Sequence, residues 1–285
     1  MILILGGSGA YFLDKERFGK VLWKKRIETP FGLSNPVYKI KSLAGFEFLF
    51  LSRHGEKDYE VTAPFVNYRA NIYAAKECGA ERIVAWTGPG SMREEFKPGD
   101  YVIPDDLIDF TKKRDYTFFE NKGLGFVRQN PVFCPEIRAA LKEVLTKMGY
   151  DFHPGGTYVC TEGPRLETPA EIRMYRKLGG DLVGMTLVPE VFLAKELEMC
   201  YGAVCYVTNY AEGIKPYEFK AGILFEGMLP EEQKKVVDEA VSRFPEIMLS
   251  LLEVLYSKDR KCPCKDTMKR YRIKGMIGED WKTWF

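Results

Sequence analysis

The chain alternates short apolar runs with longer stretches in which apolar residues recur at helical spacing. Short runs rich in β-branched and aromatic residues are typical of buried strands, and helical spacing is typical of helices that pack on a sheet. The pattern therefore predicts an α/β fold. The predicted strands are Ile2 to Leu5, Phe46 to Leu51, Arg82 to Trp86, Tyr101 to Ile103, Gly156 to Cys160, Leu182 to Met185 and Ala203 to Thr208.

Capping residues mark where the predicted helices begin and end. A glycine after the last periodic residue suits the left-handed position that follows a helix. Thr168-Pro169-Ala170-Glu171 forms a capping box, which gives Glu171 a structural role and leaves the preceding Glu167 without one. The predicted helices are Asn67 to Cys78, Pro135 to Met148, Pro169 to Leu178, Pro189 to Met199 and Glu231 to Tyr256.

No internal repeat or Pro/Gly/Ser-rich linker divides the chain, so residues 1–257 are predicted to form one domain. Thr111 to Val132 lacks periodicity and is predicted to be a long loop. Residues 258–285 turn to Lys, Arg and Cys, which predicts a surface tail. Its Cys262-Pro-Cys264 has no second pair and no nearby His. A metal is therefore not indicated, and accessible thiols or a structural disulfide explain this pair equally well.

Composition narrows the class of partner. The chain has 285 residues, a net charge of +2 and no extended basic cluster, which argues against a nucleic-acid partner and favours a small one. No apolar run approaches the roughly 18 residues of a membrane span. The opening MILILGGSG lacks basic residues before its apolar run and is predicted to be a first strand, not a secretion signal. These features predict a cytoplasmic protein, and scarce Gln beside abundant Lys and Glu is typical of heat-adapted proteins.

Four predicted strands end in loops that suit an anion. Glycines let backbone amides approach an anion, hydroxyls donate to its oxygens, and an Arg with a His supplies charge. Each loop alone is a weak signal, and a tight turn is the simplest interpretation of the first, which lacks the third glycine of a dinucleotide fingerprint. Together they predict a phosphate pocket. The loops are Gly6 to Gly9, Ser52 to Gly55, Thr87 to Ser91 and Met185-Thr186.

Longer motifs carry a resemblance to a known family. They are Ser52-Arg53-His54-Gly55, NYRANI from Asn67, the segment from Gly90 to Phe118, GTYVCTEGPRLET from Gly156 and GMTLVPE from Gly184. In this order and spacing they resemble the trimeric purine nucleoside phosphorylase and methylthioadenosine phosphorylase family. The resemblance extends from Leu3 to about Gly213 and resumes at the Cys-Pro-Cys tail.

The resemblance implies a single α/β domain with a mixed twisted sheet, partly closed into a barrel and flanked by helices. It implies a homo-oligomer, either a trimer or a dimer of trimers. The implied phosphate-binding residues are Ser8, Arg53, His54, Thr87 and Thr186. The implied substrate-binding residues are Gly88, Leu166, Glu167, Met185 and Asn209. The implied catalytic residues are Arg53, His54 and Asn209.

The implied reaction is displacement of a purine from the anomeric carbon of its nucleoside by inorganic phosphate, which is a co-substrate; no cofactor is implied. Asn209 is the expected donor to the leaving base. Ionised Glu167 can accept the N1–H of a 6-oxopurine but faces the N1 lone pair of a 6-aminopurine unfavourably. Methylthioadenosine phosphorylases typically have Ser-Thr in place of Glu167-Thr168 and Thr-Asp-Tyr-Asp in place of Thr208 to Ala211. Both departures favour inosine and guanosine.

The sugar end leaves alternatives open. Related 6-oxopurine enzymes often place a His at the 5′-hydroxyl, but residues 210–233 contain none. The segment offers apolar residues instead, either as a lid on a 5′-methylthio group or as ordinary core, so methylthioinosine stays beside inosine and guanosine. They are Phe219, Ile223, Phe225, Met228 and Leu229.

Two other functions remain as alternatives. The first is a methylthioadenosine phosphorylase that recognises adenine differently. The second is a nucleoside-binding protein without turnover, which would not need the complete phosphate set.

Overall fold

The computed structural model of the chain describes residues 1–10, 14–57, 59–217 and 220–285, without the side chains of Ser8 and Glu226. The described residues form fifteen strands and seven α-helices. The strands are β1 Ile2–Gly6, β2 Lys20–Lys25, β3 Glu28–Thr29, β4 Gly32–Leu33, β5 Val37–Lys41, β6 Glu47–Ser52, β7 Arg82–Thr87, β8 Gly90–Ser91, β9 Tyr101–Val102, β10 Asp106–Phe110, β11 Phe152–His153, β12 Thr157–Thr161, β13 Leu182–Gly184, β14 Cys200–Tyr206 and β15 Asn209–Tyr210. The helices are α1 Tyr68–Glu77, α2 Pro135–Met148, α3 Pro169–Lys177, α4 Glu190–Glu196, α5 Glu231–Ser242, α6 Phe244–Tyr256 and α7 Lys269–Ile273.

Two mixed sheets form the centre of the fold. The larger has the order β11-β9-β14-β7-β1-β6-β5-β2, and the smaller has the order β10-β12-β13-β8-β15. Within the larger sheet β6, β1, β7 and β14 run parallel to one another. Their carboxyl ends therefore meet at one edge, the part of an open α/β sheet where ligands bind.

Most predicted elements are present, and the α/β class with helices flanking mixed sheets is confirmed. The helix from Pro135 to Met148 matches its predicted bounds, with proline in the first turn and Gly149 in the left-handed conformation after it. The capping box of α3 is formed by both hydrogen bonds, Thr168 Oγ1 with the Glu171 amide and the Glu171 carboxylate with the Thr168 amide. Residues 111–134 contain no helix or strand, as predicted.

Two parts of the pattern gave wrong elements. The predicted helix Glu231 to Tyr256 is two helices, divided at Arg243. Pro245 lies in the first turn of α6, where its missing N–H costs nothing, and its ring disfavours continuation of α5 through that point. Strands β2 and β5 were missed because lysines interrupt their apolar runs, and β2 is an edge strand whose residues are mostly exposed.

The tail also differs from its prediction. The interpretation of residues 258–285 as a surface segment is wrong for part of it, because Met268, Tyr271 and Trp284 are buried against the main core, although Ile273 and Met276 are exposed. The interpretation of its two cysteines as solvent-accessible is also wrong, since Cys262 is 4% and Cys264 7% exposed. The tail is thus packed onto the preceding domain.

The helices cover the sheets through amphipathic faces. Helix α6 buries Phe244, Ile247, Met248, Leu251 and Leu252 in the same cluster as the apolar face of α2. In the described part of the chain, no helix combines the length and apolar character needed to cross a membrane.

Candidate active site

A cavity of about 630 Å³ lies where the two sheets bring their strand ends together. This volume falls in the range of pockets that bind small molecules. Ends of β1, β6, β7 and β13 all contribute to its wall. Of the residues predicted for the site, those found in the lining are His54, Thr87, Gly88, Leu166, Glu167, Met185, Thr186 and Asn209.

A pair of hydroxyls occupies the wall formed by β7 and β13. Thr87 Oγ1 lies 2.7 Å from Thr186 Oγ1, although the two residues are 99 positions apart. Tyr158 Oη lies 3.3 Å from the same Thr186 oxygen. Thr87 and Thr186 are nearly buried but both line the cavity. Each hydroxyl can rotate to donate to an anion, which is the chemistry expected of a phosphate site.

The turn after β1 forms the adjoining wall, and its glycine is required by close packing. A Cβ on Gly7 would lie 2.7 Å from the Trp86 carbonyl oxygen and 3.0 Å from Arg53 Nη1. Gly7 lines the cavity, so the backbone of this turn faces a ligand without a side chain between them. The side chain of Ser8, a predicted phosphate ligand, lies outside the described atoms.

Arg53 lies behind this wall and is not among the residues that line the cavity. Its side chain is fully buried and paired with Glu190: Nε lies 2.7 Å from Oε1, and Nη2 lies 3.1 Å from Oε2. Nη1 donates to the Trp86 carbonyl at 3.0 Å. Burial alone would lower the pKa of Arg53, but the Glu190 carboxylate outweighs it and raises that pKa above the usual value. The guanidinium is therefore permanently charged and its charge is balanced by Glu190.

His54 lies beside Arg53 and is neutral at physiological pH. Burial and the neighbouring Arg53 charge lower the pKa of its imidazole to about 4. Nδ1 lies 2.9 Å from the Val61 carbonyl oxygen, which can only accept, so Nδ1 carries the hydrogen and Nε2 does not. The His54 ring also lies 5.2 Å, centroid to centroid, from the ring of Tyr59. A neutral His54 can accept a hydrogen bond at Nε2.

Glu167 stands in the loop between β12 and α3 and lines the cavity. The Thr161 hydroxyl donates to its Oε1, and burial raises the pKa of the Glu167 carboxyl. The loop is held from behind by Arg114, which donates to the backbone carbonyls of Thr161 at 3.1 Å and Glu162 at 2.9 Å. The carboxyl group is thus fixed in position while remaining in contact with the cavity.

Asn209 begins β15 and lines the cavity. Its Oδ1 lies 2.6 Å from the Thr208 hydroxyl, and its Nδ2 donates to the Tyr210 carbonyl at 2.8 Å. These two contacts fix the amide plane and leave the second hydrogen of Nδ2 for another acceptor.

Apolar residues of the segment before α5 close one side of the cavity. Leu224, Phe225 and Met228 are part of the lining, whereas Leu229 is buried and Ile223 is 43% exposed. Phe219, which the sequence suggested for the same role, lies outside the described residues. Of the five residues suggested from the sequence, Phe225 and Met228 thus line the cavity, whereas Leu229 belongs to the core.

Sequence reasoning missed several residues of the site. Glu190, the partner of Arg53, ends the motif GMTLVPE but was given no role, because an acid in the first turn of a helix is ordinary. Arg165 lines the cavity and lies within the motif GTYVCTEGPRLET, but it was given no role. Further lining residues outside the quoted motifs are Tyr59, Thr62 and Glu212.

The match to a protein family agrees with this geometry. Residues 2–253 match the model of the phosphorylase superfamily. The chain therefore belongs to the phosphorylase superfamily. This confirms the predicted family, and with it the predicted enzyme class, a pentosyltransferase.

Individual relatives cover nearly the whole chain. It is 43% identical to the 6-oxopurine nucleoside phosphorylase of Pyrococcus furiosus, over 94% of this chain and 97% of the relative. It is 42% identical to the S-methyl-5′-thioadenosine phosphorylase of Pyrococcus abyssi, over 93% and 96%. A solved methylthioadenosine phosphorylase from an antarctic soil metagenomic library superposes with a TM-score of 0.82 at 31% identity, covering 94% of this chain and 91% of that one.

The buried ion pair gives the first testable prediction. We expect Glu190→Gln to lower the free energy of unfolding by roughly 3–5 kcal/mol, because it leaves the Arg53 charge buried without a partner. Chemical denaturation of the purified chain measures this. As the matched control, Glu239→Gln removes the exposed partner of Arg243 and should cost no more than about 1 kcal/mol. Equal small losses in both variants would contradict the importance of the buried pair.

Proposed function

We propose that the protein is a purine nucleoside phosphorylase that uses inorganic phosphate to release the base from 6-oxopurine nucleosides, inosine and guanosine. One observation carries the proposal: the Glu167 carboxyl and the Asn209 amide line the same cavity as the Thr87 and Thr186 hydroxyl pair. A base and a phosphate can thus be bound together across a ribose. The 6-oxopurine name of the relative from Pyrococcus furiosus supports the same substrate class.

In this proposal phosphate binds between the β1 turn and the two threonines. Backbone amides near Gly7 and the hydroxyls of Thr87 and Thr186 donate to its oxygens. Neutral His54, with Nε2 unprotonated, accepts from the hydroxyl of monohydrogen phosphate. Arg53 holds this wall from behind, and its fixed charge adds to the local potential although Glu190 balances it.

The bound phosphate acts as nucleophile and as counter-charge. It attacks the anomeric carbon as the bond to the purine nitrogen breaks, through a transition state with oxocarbenium character. The leaving base takes the bonding electrons, and ribose 1-phosphate forms. Positioning of the reactants and electrostatic stabilisation provide most of the rate acceleration. No covalent bond to the enzyme is needed.

Glu167 and Asn209 divide the recognition of the base between them. The ionised carboxyl of Glu167 accepts the N1–H that only a 6-oxopurine carries. Asn209 Nδ2 donates to the carbonyl at position 6 or to N7, where negative charge develops as the base departs. A site built from such partly buried hydrogen bonds discriminates strongly against a base that cannot match them.

The 5′ end of the ribose faces apolar residues in this arrangement. The side chains of Leu224, Phe225 and Met228 offer no strong hydrogen-bond partner. They can therefore pack against a 5′-methylthio group as well as against the 5′-CH₂OH group of an ordinary nucleoside. Methylthioinosine is therefore proposed beside inosine and guanosine.

Methylthioadenosine phosphorylase is the second candidate. Relatives with that name are 40–42% identical to the chain, and the same apolar wall suits their substrate. Glu167 argues against it, because an ionised carboxyl repels the N1 lone pair of adenine.

The proposal extends to a homotrimer or dimer of trimers that recovers bases from nucleosides in the cytoplasm. Large apolar side chains remain exposed on the single chain, among them Phe65 at 76% and Phe126 at 78%, which supports further burial in an assembly.

Base release from five nucleosides tests the proposed function. The substrates are inosine, guanosine, adenosine, methylthioadenosine and methylthioinosine, each with and without phosphate. We expect phosphate-dependent release from the 6-oxo compounds. Release led by methylthioadenosine would favour the second candidate, binding without turnover would favour a nucleoside-binding protein, and undiminished release without phosphate would exclude a phosphorylase.

Replacement of Asn209 tests its role as donor. We expect Asn209→Ala to lower kcat about a hundredfold with every purine nucleoside, because one donor to developing negative charge is lost. The exposed Asn121→Ala is the control and should keep full activity. An unchanged kcat for inosine in Asn209→Ala would remove this residue from the mechanism.

Glu167 gives a prediction about pH. Because burial raises the pKa of its carboxyl, protonation begins at a higher pH than for an ordinary Glu. Below that pKa the neutral group can donate to the N1 of adenine, and it accepts the N1–H of hypoxanthine less strongly because its negative charge is lost. We therefore expect the ratio of kcat/KM for inosine to that for adenosine to fall as pH decreases through the raised pKa.

This ratio of kcat/KM values reports only on recognition of the base, because inosine and adenosine have the same ribose and react with the same phosphate. In Glu167→Gln, whose amide can donate or accept, the ratio should lie closer to one and lose its pH dependence. A ratio that keeps the wild-type pH profile in this variant would show that Glu167 does not contact the base.

A further inference from the structure

Four cysteines from distant parts of the sequence meet in one cluster outside the candidate active site. They are Cys134, Cys200, Cys262 and Cys264, and all four are buried. Their Sγ atoms all lie within 4.8 Å of one another, with 3.2 Å between Cys200 and Cys262. All seven cysteines of the chain fall in its described part, and each has a free thiol.

We propose that these four cysteines form a structural zinc site, in which a single Zn²⁺ is held by four thiolates. A tetrahedral zinc with Zn–S bonds of about 2.3 Å separates its sulfur atoms by about 3.8 Å. The observed sulfur–sulfur distances, 3.2 Å for Cys200 and Cys262 and at most 4.8 Å for any pair, lie on either side of that value. Two disulfides would instead need pairs of sulfur atoms at about 2.05 Å. Four sulfur ligands in a closed tetrahedron are typical of a structural zinc and leave no open position for substrate.

The local fold supplies the four ligands from three rigid elements. Cys134 is the N-cap of α2, where the positive end of the helix dipole favours a thiolate. Cys200 is the first residue of β14, and its backbone N–H donates to the Glu81 carbonyl at 2.9 Å. Cys262 and Cys264 flank Pro263, which begins a short 3₁₀ helix. The proline fixes the chain between these two ligands, so little further ordering is needed to bind the ion.

A cation beside the cluster suits the charge of such a site. Zinc with four thiolates carries a net charge of −2. Arg260 Nε donates to Cys200 Sγ at 3.2 Å, and Arg260 Nη2 donates to the carbonyl of Glu198. Arg260 thus balances part of this negative charge from outside the four ligands while holding one of them in place.

Binding of zinc to the four cysteines releases protons and needs no oxidant. Binding of Zn²⁺ forms four Zn–S bonds, and each cysteine that is still a thiol in the metal-free cluster releases its proton to solvent. No electron is transferred.

The zinc site would attach the tail to the body of the protein. The tail continues from Cys264 to Met268, whose N–H donates to Glu198, and then to the buried Trp284. Strand β14 leads from Cys200 to the active-site loop, and its seven residues span about 23 Å. The two sites are therefore separate, and loss of the metal should affect stability before it affects binding of substrate.

The zinc content of the full-length chain, purified under reducing conditions without added metal, is the direct test. We expect one zinc ion per chain by elemental mass spectrometry. The double variant Cys262→Ser/Cys264→Ser should lose it, while the control Cys78→Ser, outside the cluster, should keep it. A chain without zinc, with an intact mass lower by four hydrogen atoms under denaturing conditions, would overturn the proposal in favour of two disulfides.

A second measurement on the unaltered protein covers the case in which the double variant fails to fold. Removal of metal by a strong chelator should lower the Tm, and stoichiometric Zn²⁺ should restore it. Substitution with Co²⁺ should give the intense absorption of a tetrahedral tetrathiolate. A Tm that the chelator does not change, together with no cobalt absorption, would also overturn the zinc site.

Discussion

The buried ion pair between Arg53 and Glu190 is the interaction on which the arrangement of the site depends. It joins the end of β6 to the first turn of α4, and Tyr201 of β14 donates to the same carboxylate at 2.5 Å. Removing a charge from water costs several kcal/mol, so neither partner is stable here without the other. Because Arg53 also donates to the Trp86 carbonyl of β7, the ion pair as a whole connects three strands and a helix.

This constraint explains the backbone of the proposed phosphate site. With Arg53 Nη1 and the Trp86 carbonyl fixed behind it, the β1 turn has no room for a side chain at Gly7. The same Arg53 charge lowers the pKa of His54, which keeps that imidazole neutral. A neutral acceptor beside hydroxyl donors suits a partly protonated anion better than a second fixed cation would. The proposed hydrogen bond from monohydrogen phosphate to His54 thus depends on the charge of Arg53, a residue that does not line the cavity.

Local signals in the sequence predicted the local structure and much of the cavity lining, whereas long-range pairing was not predictable. Proline and glycine gave the limits of α2, and strand ends rich in glycine and threonine gave His54, Thr87 and Thr186. Lysines concealed β2, whose exposed edge position gives no continuous apolar run. The cysteine cluster was missed for another reason: Cys134 and Cys200 have no partner at metal-ligand spacing, and only the fold brings them to the tail.

The two sheets also separate the parts of the proposed reaction. Thr87 is the last residue of β7 in the larger sheet. Thr186, Glu167 and Asn209 belong to loops and strands of the smaller sheet. The side chain of Asn209 hydrogen-bonds with its sequence neighbours Thr208 and Tyr210, and the carboxylate of Glu167 accepts from Thr161. Exchange of these two side chains therefore disturbs neither the Arg53 pair nor the threonine hydroxyls. In the proposed function these two side chains select the base, so a change of base would need few substitutions, in agreement with the similar identity of this chain to relatives named for 6-oxopurine nucleosides and for methylthioadenosine.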